Sequence, residues 1–212
     1  MVAAGTVARE MNLLRSVLRL AWKEWGWLRD NPLSDVKAPR SPASRKRRVG
    51  QDEIDRVLLA CGLEDLETDT AIQRTGLAFA FALETAMRAG EIVGLTWADV
   101  GEKSVRLQAT KNGDVRRVPL SPRAREILAA LAGDKSGAVF RLEPGTRDVM
   151  FRRARDVAKV ENLHFHDSRA EAIWRLSKKF DVLELARVIG HRDIKSLLIY
   201  YQVDADELAD RL

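Results

Sequence analysis

Arg88, Lys111, His166, Arg169, His191 and Tyr200 follow one another in an order that suits displacement at phosphorus. A phenol of pKa ~10 is a weak nucleophile at neutral pH, so it needs neighbouring cations for its developing charge and a donor for the departing oxygen. Arg88, Arg169, His166 and His191 can supply the first. Lys111, in a turn able to reach into a groove, is the candidate donor; as an isolated turn lysine it is only a solvated charge. Together the six are what a metal-free tyrosine transesterification on DNA phosphodiesters requires. All three histidines and both tyrosines lie beyond residue 163, with His166-Asp167-Ser168-Arg169, Gly190-His191 and Tyr200 grouped near the C-terminus.

Local spacing sharpens several of these assignments. Arg169 comes three residues after His166, which puts both on one face of a helix's first turn, where free backbone N–H groups also favour an anion. It shares its azimuth with Ile173 and Leu176, so its guanidinium starts from the buried side and must meet a partner. That partner is either a phosphate or, in a purely structural role, Asp167 or Glu171. Arg88 closes an apolar helix with Glu91 one turn on. Its structural alternative is to complement the helix dipole and pair with Glu91, worth about 0.3–1 kcal/mol; Glu91 is read as orienting Arg88. Ile194, Leu197, Leu198 and Tyr201 fall at α-helical spacing, which assigns Tyr201 to packing and leaves Tyr200, rotated off that stripe, as the freer hydroxyl. His164-x-His166 lacks a third metal ligand, so no metal is assigned.

The elements that must position these groups are mostly helical. Thr6 caps a helix to about Leu28, with Met11, Leu14, Val17, Leu18, Ala21, Trp22 and Trp25 on one stripe that needs a partner. Lys37 to Arg48 then carries six basic residues, two prolines and no acid, the profile of an extended linker. Helices follow over Asp52–Ala60 and Thr70–Met87, the second apolar all round from Leu77 to Leu83 and therefore central and buried. Ser104–Ala109 and Val115–Leu120 read as strands of a hairpin, because the intervening Asn112-Gly113 suits two positive-φ positions. Further helices are expected over Pro122–Leu131, Thr146–Val160, Asp167–Lys178, Asp181–Ile189, Asp193–Tyr201 and Asp204–Leu212. The fold class is thus mainly α with a small antiparallel β-sheet, an α+β arrangement.

Composition bounds the function. The chain has 212 residues, 46% hydrophobic and 32% charged, which suits an ordered domain rather than wholesale disorder. A net charge of +5 favours a polyanionic partner, nucleic acid ahead of a membrane surface. One cysteine, Cys61, excludes an intrachain disulfide and a thiolate metal cluster, consistent with a cytoplasmic setting. No apolar run reaches the roughly 20 residues of a membrane span, and no export signal is apparent. The basic residues Lys37, Arg40, Arg45, Lys46, Arg47 and Arg48 are candidate DNA contacts, with a solvated connector as the alternative.

On these residues the chain resembles the tyrosine recombinase family, and within it the phage-type integrases. Thr85 to Trp97, containing Arg88 and Glu91, resembles the family's first-arginine box. Thr110 to Leu120 is similar to its lysine hairpin, His166 to Arg169 to its His-x-x-Arg box, and Val188 to His191 with Tyr200 nine positions later to its terminal box. Ser168 stands where leucine is usual, and Ala170 where a histidine commonly follows the second arginine. The resemblance implies a partial core-binding helical segment over residues 1–36, a basic linker over 37–48, a catalytic domain over 49–203 and a C-terminal helix or tail over 204–212. The N-terminal part matches only the latter part of a core-binding domain.

The resemblance also implies a mechanism. Tyr200 would attack a scissile phosphate to give a 3′-phosphotyrosyl enzyme and a free 5′-hydroxyl, which then attacks the partner strand, with Lys111 protonating the leaving oxygen. The phosphoester bond energy is retained in the covalent intermediate, so no cofactor, ATP or divalent metal is required. The implied partners are double-stranded attachment-site DNA in a bacterial host cell, a homotetramer on that DNA, a monomer without it, and accessory DNA-bending or directionality proteins. A type IB topoisomerase-like nicking and resealing enzyme would use the same pocket. A catalytically silent DNA-binding regulator is the non-enzymatic alternative, against which Arg88, Arg169 and Tyr200 weigh.

Overall fold

The computed structural model describes residues 2–37, 39, 47–64, 68–108, 115–133, 135–191 and 193–201. The chain divides into two compact units, Met1–Lys46 and Arg47–Leu212. The first is built on α1 (Ala4–Lys23), which begins before Thr6, with Ala3 at its N-cap and no side-chain cap. The helix stops short of the expected Leu28 because Gly26 takes a left-handed φ of 63°, and Trp27 N–H turns back to the Ala21 carbonyl. Trp22 Nε1 donates to the Arg29 carbonyl at 3.0 Å and Arg15 to that of Val36, tying the following loop to the helix. Ala8 and Ala21 are buried, whereas Leu14, Val17, Trp22 and Trp25 of the expected stripe remain exposed.

The second unit is organised around α3 (Ala71–Thr85). Thr70 caps it reciprocally with Gln73, two N-terminal donors being satisfied at once. Leu77, Ala78, Phe79, Phe81 and Ala82 are fully buried, as all-round apolarity demands. Around it stand α2 (Gln51–Ala60), α5 (Pro122–Leu131), α6 (Pro144–Val157) and α7 (Asp167–Ser177). Phe79, Phe151 and Phe165 form a mutually contacting cluster with centroid separations of 5.0, 5.9 and 5.4 Å.

Helix α3 ends two residues earlier than its pattern predicts. Ala86, fully buried, takes a left-handed φ of 52°, a conformation that costs an L-residue about 1–2 kcal/mol. Arg88 therefore does not close α3 but stands at the N-cap of α4 (Ala89–Val93). The hairpin is present and shorter than expected: β1 (Ser104–Leu107) pairs antiparallel with β2 (Arg116–Pro119), Val105 opposite Val118 and Leu107 opposite Arg116. Val105, Leu107 and Val118 are buried. Arg116, two residues from Val118, shares their face, while Arg117 points outward.

The chain closes with α8 (Val182–Ile189), capped by Asp181 and ended by Gly190 at φ 66°, then a 3₁₀ helix over Ile194–Tyr200 where an α-helix was expected. The Lys111–Asp114 turn and the expected helix over Asp204–Leu212 lie outside the described residues. No helix among the described residues is long and apolar enough to cross a membrane.

Candidate active site

Glu91 is the centre from which the site is built. Its Oε1 accepts from Arg88 Nη1 at 2.8 Å and Arg116 Nη1 at 2.9 Å. Its Oε2 accepts from the Arg88 backbone N–H at 2.7 Å and Arg116 Nη2 at 2.6 Å. Each carboxylate oxygen thus takes one bond from each arginine. Burial by itself pushes the Glu91 carboxyl up, and the bonds from Arg116 and Arg88 outweigh it, leaving it below the usual carboxylate range.

The end of α8 supplies the second organising surface. The Val188 carbonyl accepts from Arg116 Nε at 3.2 Å, the Ile189 carbonyl from Arg169 Nη2 at 2.9 Å, and the Gly190 carbonyl faces Arg88 Nη2 at a longer 3.5 Å. A helix C-terminus leaves carbonyls without intrahelical partners and carries partial negative charge, so three guanidinium groups find acceptors on three successive residues. Arg169 also donates to the carbonyl of Ala86, the residue whose left-handed turn ends α3.

Arg169 is buried, and its guanidinium donates to the backbone carbonyls of Ala86 and Ile189. Glu171 instead accepts from Arg48 Nε at 2.7 Å, Arg175 Nε at 3.1 Å and the Val49 N–H at 3.1 Å. Asp167 accepts from the His164 N–H at 2.8 Å. Burial, then the charges of Arg88 and Arg116, push the Arg169 guanidinium down to about 10, still a cation at neutral pH. The Tyr200 phenol lies within its field: burial raises the phenol, and the Arg169 charge partly offsets this. Burial, followed by the charges of Arg169 and Arg88 against that of Asp167, holds the His166 imidazole below its ordinary value and so neutral near pH 7.

The two tyrosines are separated by their hydroxyls, not by the stripe that the sequence suggested. A 3₁₀ helix has three residues per turn, which sets Tyr200 on the same face as buried Leu197, while Leu198 of the expected stripe is exposed. Both rings pack on the cluster of Ala172, Ile173, Leu185 and Ile189. Tyr201 Oη donates to the Phe180 carbonyl at 2.8 Å. Tyr200 is instead held through its backbone, its carbonyl accepting from Ser177 Oγ at 3.2 Å, with its phenol left in the field of Arg169.

Of the residues read from the sequence, Arg88, Glu91, His166, Arg169 and Tyr200 are brought into one electrostatic neighbourhood. His191 follows Gly190 directly, with Nδ1 2.8 Å from Ser196 Oγ and its N–H on the Ala186 carbonyl. Lys111, Arg40, Arg45 and Lys46 lie outside the described residues; Lys37 is exposed in the first unit. Arg47 and Arg48, read from the sequence as candidate DNA contacts or plain connector, are turned onto their own unit. Arg47 bridges Glu53 at 2.7 Å, and Arg48 pairs with Glu171 while stacking 3.3 Å from the Trp174 ring centroid. Arg116 was missed, although its signal was present: it alternates with Arg117 in a strand whose inward positions are otherwise apolar, and an inward guanidinium requires a carboxylate.

A phage integrase family profile matches residues 47–207. A putative integrase/recombinase of Haemophilus influenzae is 38% identical over 217 aligned positions, covering all of this chain and 71% of the relative. A shufflon-specific DNA recombinase of Escherichia coli is 35% identical, covering all of this chain and 54% of that protein. The chain thus spans between about half and about seven tenths of these relatives. A lambda integrase tetramer bound to a Holliday junction superposes with a TM-score of 0.69 at 20% identity, covering 95% of this chain and 62% of that one, a likeness of fold.

Proposed function

This chain belongs to the phage integrase family of tyrosine recombinases, and on that premise we propose that Tyr200 cleaves and rejoins DNA through a 3′-phosphotyrosyl intermediate. The Tyr200 oxygen forms a bond to phosphorus as the P–O5′ bond breaks, and the electron pair leaves on the 5′-oxygen. Lys111 protonates that oxygen, and neutral His166 accepts the phenolic proton. A 5′-hydroxyl of the partner strand then attacks the phosphotyrosine in reverse. Arg88 and Arg169 hold the non-bridging oxygens by charge-assisted bonds that strengthen as charge gathers in the pentacoordinate transition state.

The observation that supports this reading best is the convergence of Arg88, Arg116 and Arg169 on the α8 terminus, with Glu91 bridging the first two and the Tyr200 phenol in the field of Arg169. Glu91 pins the inner edge of Arg88, whose side chain is 42% exposed and so presents its remaining donors outward. The substrate is double-stranded DNA carrying recombination sites of a phage or mobile element in the bacterial cytoplasm. Exchange requires four protomers around two duplexes, as in the lambda integrase tetramer solved on a Holliday junction. Lys37, Arg40, Arg45 and Lys46 add phosphate contacts.

The test is a suicide duplex, nicked so that the released 5′-end diffuses away, offered as a pool of randomised sequence. A covalent protein–DNA adduct on a denaturing gel, lost in Tyr200→Phe with binding retained, is the expected result. An adduct that survives Tyr200→Phe would sink the assignment.

A further inference from the structure

We propose that Arg116 is a positioning residue for strand cleavage, which orients Arg88 through the Glu91 carboxylate and shapes the turn that presents His191. The inference rests on the reading of Tyr200 as nucleophile and deepens it.

Arg116 is largely withdrawn from solvent: its side chain is 9% exposed, against 42% for Arg88. Its Nε, Nη1 and Nη2 are aimed at the Val188 carbonyl and the two Glu91 oxygens. It therefore acts on the reaction only through other groups. Its leverage comes from Glu91, which holds both the backbone and the side chain of Arg88. Without Arg116, half the bonds to that carboxylate vanish, and Glu91 and Arg88 are free to swing together.

The same guanidinium shapes the adjacent turn. A β-carbon on Gly190 would stand 2.9 Å from Arg116 Cδ and 3.1 Å from its Nε and Nη1. The left-handed turn between Ile189 and His191 is thus closed around the Arg116 side chain. Arg116 also opens β2, so one side chain connects the hairpin, the first-arginine segment and the His191 segment. Stability alone does not account for such a pair, because replacing a buried ion pair by apolar groups of similar volume is often neutral or stabilising. Geometry does, since a small misplacement of a phosphate clamp is enough to slow the reaction.

The experiment compares Arg116→Met, Arg116→Lys, Glu91→Gln and the double variant Arg116→Met/Glu91→Gln in the full chain. Single-turnover adduct formation on the randomised nicked duplex pool is measured beside DNA affinity and thermal midpoint. Arg116→Met is expected to slow adduct formation by about 10²-fold per folded molecule, with DNA affinity within about twofold of the parent. The double variant is expected to be no slower than the slower single one, since both act through one carboxylate. Arg116→Lys keeps the charge but cannot bridge both oxygens, so it restores the rate only in part; it carries the comparison if Arg116→Met does not fold. Adduct rates within about twofold of the parent in the folded Arg116 variants, or losses that multiply in the double variant, would overturn the proposal. If the parent itself forms no adduct, the Tyr200 reading falls and this one with it. An adduct in the parent and in unaffected Arg116 variants overturns this one alone.

Discussion

Tyr201 donates its hydroxyl to the Phe180 carbonyl at 2.8 Å, and this one bond distinguishes its surroundings from those of the tyrosine beside it. Tyr201 staples the end of the 3₁₀ helix to the loop before α8. Tyr200 has its ring on the same apolar cluster and its phenol in the field of Arg169. The two positions therefore respond differently to loss of the hydroxyl.

Tyr201→Phe is expected to lose about 0.5–1.5 kcal/mol of stability, the net worth of one hydrogen bond, and to keep covalent trapping. Tyr200→Phe is expected to abolish trapping with little change in stability. Urea unfolding and the denaturing gel check the two outcomes in parallel; the reverse pattern would exchange the two assignments.

Gly190→Ala meets two obstacles at once. It places a β-carbon in a left-handed turn, costing about 1–2 kcal/mol, and against Arg116, where the space is already filled. Thermal denaturation should show a loss larger than the conformational cost alone. In an Arg116→Ala background the steric part disappears and the conformational part stays, so the penalty shrinks without vanishing.

The pH dependence of stability follows from carboxylates held low and an imidazole held low. Glu91 and Glu171 lie below their ordinary values despite burial, so they bind fewer protons folded than unfolded. Their contribution is present above the unfolded value of about 4.3 and is lost as pH falls through the lower folded values. His166, also lowered, is neutral in the folded state where the unfolded chain would already take a proton, so stability declines as pH drops below about 6.5 towards its folded value. Urea midpoints measured against pH should show that upper decline flatten in His166→Gln. An unchanged decline would assign it to another group.

Arg48 and Glu171 fasten the start of the second unit to α7, the helix that carries Arg169. Glu171→Gln is expected to cost about 1.5–3 kcal/mol, the range for hydrogen bonds to charged groups, read from urea midpoints. Arg48→Ala should likewise lower stability and leave the salt dependence of DNA binding nearly unchanged. Neutralising Lys37, Arg40, Arg45 and Lys46 should instead flatten that dependence, by about 0.9 in log–log slope for each phosphate contact removed.

The buried run from Leu77 to Leu83, the helix expected over Asp181–Ile189 and the hairpin pairing were legible because each depends on neighbours in sequence. The candidate reactive set was suggested by its histidines and tyrosine, types scarce in the chain, and by the ordered boxes in which it falls. Two things were not legible. The left-handed turn at Ala86 contradicts local propensity and is supported by burial and by the bond from Arg169, contacts between residues far apart in sequence. The 3₁₀ winding of Ile194–Tyr200 changes which residues share a face, and a periodicity argument that assumes α-helix misplaces Tyr200.

Sequence by itself determined which groups were available for chemistry and which helices would be buried, because residue type and local spacing set reactivity and amphipathic pattern. Only the tertiary structure decided where the arginines look. Arg116 and Arg88 share one carboxylate, and three guanidinium groups end on Val188, Ile189 and Gly190, because the carbonyls freed at the end of α8 lie beside β2, α4 and α7 only once the chain is packed. Hydrogen-bond partners across such distances leave no periodicity to read.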